Sequence, residues 1–135
     1  MVFVVIAGDI TVVSIDGLVI IIWVIMKQYV IDQLRPDDYF KIRGYLESNC
    51  ASTALPDIFW LYLPPELWTD IQAAHKDCSP FYMALELTQT SLSCELLVRT
   101  PSRLRCDCMG YASRLQRDWV IETVEDMCRN LEISL

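Results

Sequence analysis

The chain has 135 residues, with 11 Lys and Arg against 18 Asp and Glu, six Cys and one His, for a formal net charge of −7. So acidic a balance, with no basic run longer than a pair, excludes autonomous DNA or RNA binding, because attraction to phosphate supplies most non-specific nucleic-acid affinity. The length suits one domain with a modest core, and four isolated glycines (8, 17, 44 and 110) remove phosphate-loop chemistry.

Residues 1–25 carry no Lys or Arg and are largely Val and Ile. Three readings fit this apolar segment, which is set outside the domain. The first is a single-pass membrane anchor, long enough for the roughly 20 residues a bilayer requires. Its Asp9 and Asp16 weigh against it, since a central Asp costs roughly 2.5–3.5 kcal/mol on insertion. Lys27, Arg35, Lys41 and Arg43 follow the segment, so the positive-inside rule would leave the C-terminal domain in the cytoplasm. The second reading starts the native chain at Met26, which gives a cytoplasmic protein with membrane contact only if residues 1–25 are translated. The third, ranked behind both, is an extra β-hairpin turning at Asp16-Gly17. A secretory signal does not fit, because no basic stretch precedes the apolar run and no small-residue cleavage site follows it. Without an export signal, Cys50, Cys78, Cys94, Cys106, Cys108 and Cys128 read as reduced thiols.

Residues 26–135 read as a single α+β domain. Gln28 to Leu34 is an expected strand stopped by Pro36. Asp37 and Asp38 suit the N-terminus of a helix running to about Ser48, with Tyr39, Ile42, Tyr45 and Leu46 as its apolar stripe. Ile58 to Leu63 is an expected buried strand between prolines. Pro65 to Trp68 suggests one helical turn, and Thr69 or Asp70 caps a short helix reaching His75. Phe81–Thr88, Leu92–Thr100 and Arg103–Met109 then read as a three-stranded meander. In it Leu87 faces Leu92, Leu85 faces Cys94, Met83 faces Leu96, Leu96 faces Cys106, and Cys94 faces Cys108. One face gathers the aliphatic and sulfur side chains and the other the charged ones, and a one-residue slip would reverse both. Ser113 with Gln116 forms a capping box opening the last helix, whose stripe is Val120, Val124, Met127 and Leu131. The expected architecture is a two-layer sandwich, an antiparallel sheet of about four to five strands with helices mainly on one face. This element order is loosely similar to the secretion-chaperone-like α+β fold, whose members are small, acidic and often dimeric.

Two constellations carry chemistry. Cys106-Asp107-Cys108 places two sulfurs on one side of a strand, the expected pairing adds Cys94, and His75 with Cys78 forms an H-x₂-C pair in the preceding loop. Zinc takes four such ligands in a tetrahedron. The bland reading, cysteines filling an apolar core, ranks ahead of the metal site, and thiol redox chemistry ranks third. A His75–Cys78 nucleophilic pair lacks an oxyanion-hole signature, so the chain favours a non-enzymatic role. The second constellation is aromatic: Phe59, Trp60, Tyr62 and Trp68 lie within ten residues, and Trp119 sits off its helix stripe. Surplus Trp and Tyr on a surface anchor partners. The leading expectation is therefore a small protein-interaction module without a cofactor, binding a protein partner or a second copy of itself. The alternative is a zinc protein using Cys94, Cys106 and Cys108 with His75 and Cys78.

Overall fold

The computed structural model describes residues 27–135 in full, and within residues 1–26 the backbone of β1 (Val2–Val5), β2 (Asp9–Ile15) and β3 (Leu18–Val24). Then come β4 (Gln28–Ile31), α1 (Pro36–Asn49), β5 (Ala51–Ser52), β6 (Ile58–Tyr62) and α2 (Asp70–Ala74). The chain continues through β7 (Tyr82–Leu87), β8 (Leu92–Glu95), β9 (Leu97–Val98), β10 (Gly110–Tyr111) and α3 (Arg114–Asn130). Single 3₁₀ turns occupy Pro65–Leu67 and Lys76–Cys78.

The main sheet is antiparallel in the order β1-β4-β8-β7-β6-β5, and five of its six strands lie within residues 27–135. The expected α+β architecture is the observed one. β2 and β3 pair separately with Ile15 opposite Leu18, the register that a hairpin at Asp16-Gly17 requires. The anchor and late-start readings fall on residues outside those fully described. Among the described residues no helix is long and apolar enough to cross a membrane.

The alternation of β7 and β8 places the core. Phe81, Met83, Leu85 and Leu87 point to one face and meet Leu92, Cys94 and Leu96, all at most 2 % exposed. Leu85 lies opposite Cys94 and Leu87 opposite Leu92, as the turn at Gln89-Thr90 dictates. Tyr29 and Ile31 of β4 and Phe59 of β6 extend this face. Ile42 and Leu46 of α1 and Val120, Val124, Met127 and Cys128 of α3 cover it. Each such side chain contributes about 1.5–3 kcal/mol on leaving water. Cys128, at the edge of the expected stripe, is fully buried.

Local signals explain the helix limits. Pro36 opens α1 where its missing N–H is no loss, and Asp38 accepts from the Arg35 backbone N–H and guanidinium. α3 ends in a Schellman motif. Ile133 N–H reaches back to the Cys128 carbonyl and Glu132 N–H to that of Arg129, with Glu132 at φ 58°.

One expectation fails. Residues 103–109 form no strand; the third partner of the meander is the short β10, with Gly110 opposite Val98 and Tyr111 opposite Leu97. The preceding strand breaks at Leu96, whose N–H bonds Lys27 and whose carbonyl accepts from Ala112. From there the pairing jumps two residues, so Tyr82 faces Arg99. Between the two arms the chain turns twice. Ser102 N–H donates to Thr100 Oγ1, and Met109 N–H closes a tight turn on the Cys106 carbonyl at 3.0 Å. Leu104, expected inside, is 96 % exposed, and Arg105 is exposed beside it. The expected facings Leu96–Cys106 and Cys94–Cys108 are therefore absent, and the β7–β8 ladder ends at Leu85–Cys94, before the expected Met83–Leu96 pair.

Candidate metal centre

The turn that replaces the expected strand brings sulfur together. Cys106 and Cys108 stand at its first and third positions, and a tight turn converges side chains two apart as effectively as a strand face does. The 3₁₀ turn after α2 supplies the third sulfur. Thr69 caps this helix, the 3₁₀ turn Lys76–Cys78 follows it, and the Cys78 N–H closes on the His75 carbonyl at 2.9 Å. The sulfurs of Cys78, Cys106 and Cys108 all lie within 4.8 Å of one another, with Cys78 and Cys106 3.9 Å apart. Two thiolates on one tetrahedral zinc, each at about 2.3 Å, are separated by roughly 3.8 Å. Cys78 and Cys108 are buried and Cys106 half-buried, so the cluster sits at the rim of the core.

Cys94 does not join it. It was grouped with Cys106 and Cys108 on the assumption that residues 103–109 pair with β8. Its side chain instead lies between Tyr29 and Leu85 in the sheet, with its sulfur 3.8 Å from the Glu95 carbonyl. Cys128 is likewise core, and Cys50 packs at the core margin.

The surroundings separate these thiols chemically. The Cys108 backbone N–H donates to the Cys106 sulfur, and this bond first, then the Cys108 and Cys78 thiols and nearby His75, holds the Cys106 thiol down to about 7. Cys108 is pushed up to about 12, by burial first and then by its sulfur neighbours. Burial alone dominates elsewhere, raising Cys94 to about 12 and Cys128 to about 11. Cys106 and Cys108 titrate as a pair, and of the two Cys106 is where negative charge is better held.

His75 stands three residues before Cys78. Its Nδ1 lies 2.7 Å from the Ile71 carbonyl oxygen, so that nitrogen carries the proton and donates. Nε2 is left pointing away from that bond, but neither ring nitrogen joins the three sulfurs within 4.8 Å of one another, so the structure brings together Cys78, Cys106 and Cys108 and not the expected His75.

Both cysteine segments are held from behind. Thr100 Oγ1 donates to the Cys78 carbonyl, and Gln72 Nε2 donates to the Cys108 carbonyl at 3.3 Å. Gln72 belongs to a buried amide pair. Its Oε1 accepts from Thr69 N–H and from Gln116 Nε2 at 2.8 Å, while Gln116 Nε2 also reaches the Leu67 carbonyl at 2.9 Å. Gln116 Oε1 in turn accepts from Ser113 N–H. The capping boxes of α2 and α3 are thus locked together, and the lock ends on Cys108. Gln72 and Thr100 carried no expectation from sequence. The pattern Thr69-x-x-Gln72 repeats that of Ser113-x-x-Gln116, and Gln in place of the commoner Glu is the trace that both ends are buried.

The five aromatic residues expected to form one partner-binding surface are dispersed. Phe59 is 2 % exposed and belongs to the core. Trp68 packs edge-on against Phe81 at 5.0 Å, and Trp119 lies partly buried against the core. Trp60 and Tyr62 remain together on the outer face of the sheet, where Trp60 stacks on Tyr82 at 4.1 Å. The alternation of β6 divides the group, sending Phe59 inward and Trp60 outward. No protein-family model matches this chain, and no curated protein and no solved structure gives a match to it.

Proposed function

We propose that the protein is a zinc-binding module in which Cys78, Cys106 and Cys108 hold the metal as thiolates and His75 Nε2 is the fourth ligand. The observation that carries this reading is the convergence of three sulfurs within 4.8 Å of one another from two segments 28 residues apart, with Cys78 and Cys106 at the separation a tetrahedral thiolate pair needs. A cysteine merely filling the core gains nothing from meeting two others. The Cys108 N–H to Cys106 sulfur bond and the Ile71 carbonyl behind His75 are supports of the kind that orient first ligands and tune a bound metal. Three sulfurs are already gathered, and a turn of the His75 side chain toward them on metal binding would close the coordination sphere with four protein ligands. The metal then has a structural role, fixing the 100–109 loop to the end of α2, and supplies no open position for a reacting water.

Metal analysis of protein purified under reducing conditions should find about one zinc per chain. Cobalt substituted for zinc should give the visible bands of a tetrahedral thiolate complex. Cys78→Ser, Cys106→Ser and Cys108→Ser should each abolish them, and His75→Ala should weaken binding at least tenfold. Cys94→Ser and Cys128→Ser should leave binding intact. Zinc well below stoichiometry in the wild type, or a loss in Cys94→Ser equal to that in Cys106→Ser, defeats the assignment.

A further inference from the structure

The outer face of the sheet opens into a groove of about 270 Å³ between the β6–β7 surface and the loop 100–104. Its floor is aromatic: Trp60 lies on Tyr82 with an interplanar angle of 18°, and Tyr62 meets Tyr82 edge-on at 83°. Tyr62 is 43 % exposed. The wall is cationic and apolar, with Arg99, Arg103 and Leu104 along it. Arg99 is fixed by Glu95, which accepts from its Nε at 3.3 Å and its NH2 at 3.0 Å. Arg103 and Arg105 are exposed and make no ion pair among the described residues. In a chain of net charge −7, residues 99–105 hold three arginines and no acid.

We propose that this groove binds an acidic peptide segment of a partner protein that carries a leucine or aromatic anchor. The anchor rests on the Trp60–Tyr82 stack against Leu104, one neighbouring carboxylate meets Arg103 in the wall, and a further one reaches Arg105 just beyond the groove. Trp, Tyr and Arg are the side chains that dominate interface energetics, and here they adjoin a leucine left in water. The volume accommodates one or two side chains, which favours an extended segment over a docked domain. Local positive charge on an acidic body selects a partner that is itself acidic only along the contacting stretch, since the rest of the surface repels it. Nucleic acid fits less well, because three guanidiniums against seven surplus negative charges make too few phosphate contacts. The Arg103–Leu104 wall stands on the loop that the proposed zinc fixes, but neither Trp60, Tyr82 nor Arg103 is a proposed ligand, so lost peptide binding in Arg103→Glu with zinc retained is told apart from failure of the zinc site.

The test is fluorescence anisotropy on zinc-replete protein with labelled twelve-residue peptides. One alternates Asp and Glu with Leu and Trp, one replaces the acids by Lys, and one keeps the acids but replaces Leu and Trp by Ser. A twelve-nucleotide oligothymidine is the fourth probe. The acidic, apolar peptide should bind at least tenfold more tightly than the other three, and less tightly as salt rises. Arg103→Glu, at an exposed position with no ion pair among the described residues, should weaken that peptide at least tenfold, and Trp60→Ala comparably. The inference is overturned by equal binding of the Lys peptide, by preference for the oligonucleotide, or by an unchanged affinity in Arg103→Glu. Light scattering that finds an Arg103-dependent dimer overturns it too, since the occupant is then a second copy.

Discussion

Removing zinc with a strong chelator should lower the melting temperature by about 15 °C or more. A ligand that binds only the folded state at a thousand times its dissociation constant stabilises it by about 4 kcal/mol. In a domain of about 100 residues each kcal/mol moves the midpoint by roughly 4–8 °C. Cys78→Ser should melt with the chelated wild type and respond no further to chelator. The stabilisation should fade as pH falls, because zinc needs thiolates and protons compete for each sulfur. Cys106, held down to about 7 chiefly by the Cys108 N–H, should reprotonate after Cys108, which burial pushes up to about 12. Calorimetry with and without chelator reads the shift. Coincident curves at neutral pH would show that the three sulfurs carry no metal.

Gln116→Ala should cost about 3–5 kcal/mol, far more than a typical capping substitution of about 1 kcal/mol. Gln116 is 0 % exposed, and its amide serves Ser113 N–H, the Leu67 carbonyl and Gln72 Oε1. Truncation leaves the Ser113 N–H and the Leu67 carbonyl without a partner and Gln72 Oε1 with the Thr69 N–H alone. Gln116→Glu discriminates further, since Glu is the ordinary capping-box residue and should be harmless on an exposed helix. Here its second oxygen would confront two acceptors in a dry site, so the introduced carboxyl should be raised above its usual pKa. The stability lost relative to wild type should then grow as pH rises through that raised value and shrink toward pH 4, where a protonated Glu again offers a donor. Urea unfolding of metal-free protein at pH 4 and 8 measures the difference. A Glu variant as stable as wild type at pH 8 would mean the two amides do not meet.

Periodicity and punctuation made most of the scaffold legible. Pro36, Asp37 and Asp38 announce α1, Ser113 and Gln116 announce α3, and strict alternation from Phe81 to Leu87 sets the register with Leu92 and Cys94. The failure at 103–109 has a plain origin. Arg103-Leu104-Arg105-Cys106-Asp107-Cys108 alternates charge with apolar or sulfur side chains, and a turn that presents Cys106 and Cys108 to one point has the same two-residue spacing as a strand. That misreading carried Cys94 into the metal set. His75-x₂-Cys78 and Cys106-x-Cys108 were each visible as ligand-type pairs, but their meeting depends on the end of α2 facing the loop, which no local pattern encodes. The outer-face groove was hidden for a similar reason. Trp60 and Tyr62 were evident, and Tyr82 joins them through the β6–β7 register, while Arg99 is set beside Tyr82 only by the two-residue jump after Leu96.

The coupled glutamines also set how the molecule opens. A five-residue helix in isolation has no stability of its own, and its amides would trade deuterium with solvent in moments. α2 cannot fray that way, because Gln72 is pinned under the first turn of α3 and releasing it strands Gln116 as well. Backbone amides of Ala73 and His75 should therefore exchange at the pace of those in the first turns of α3, two elements 39 residues apart in sequence behaving as one cooperative unit.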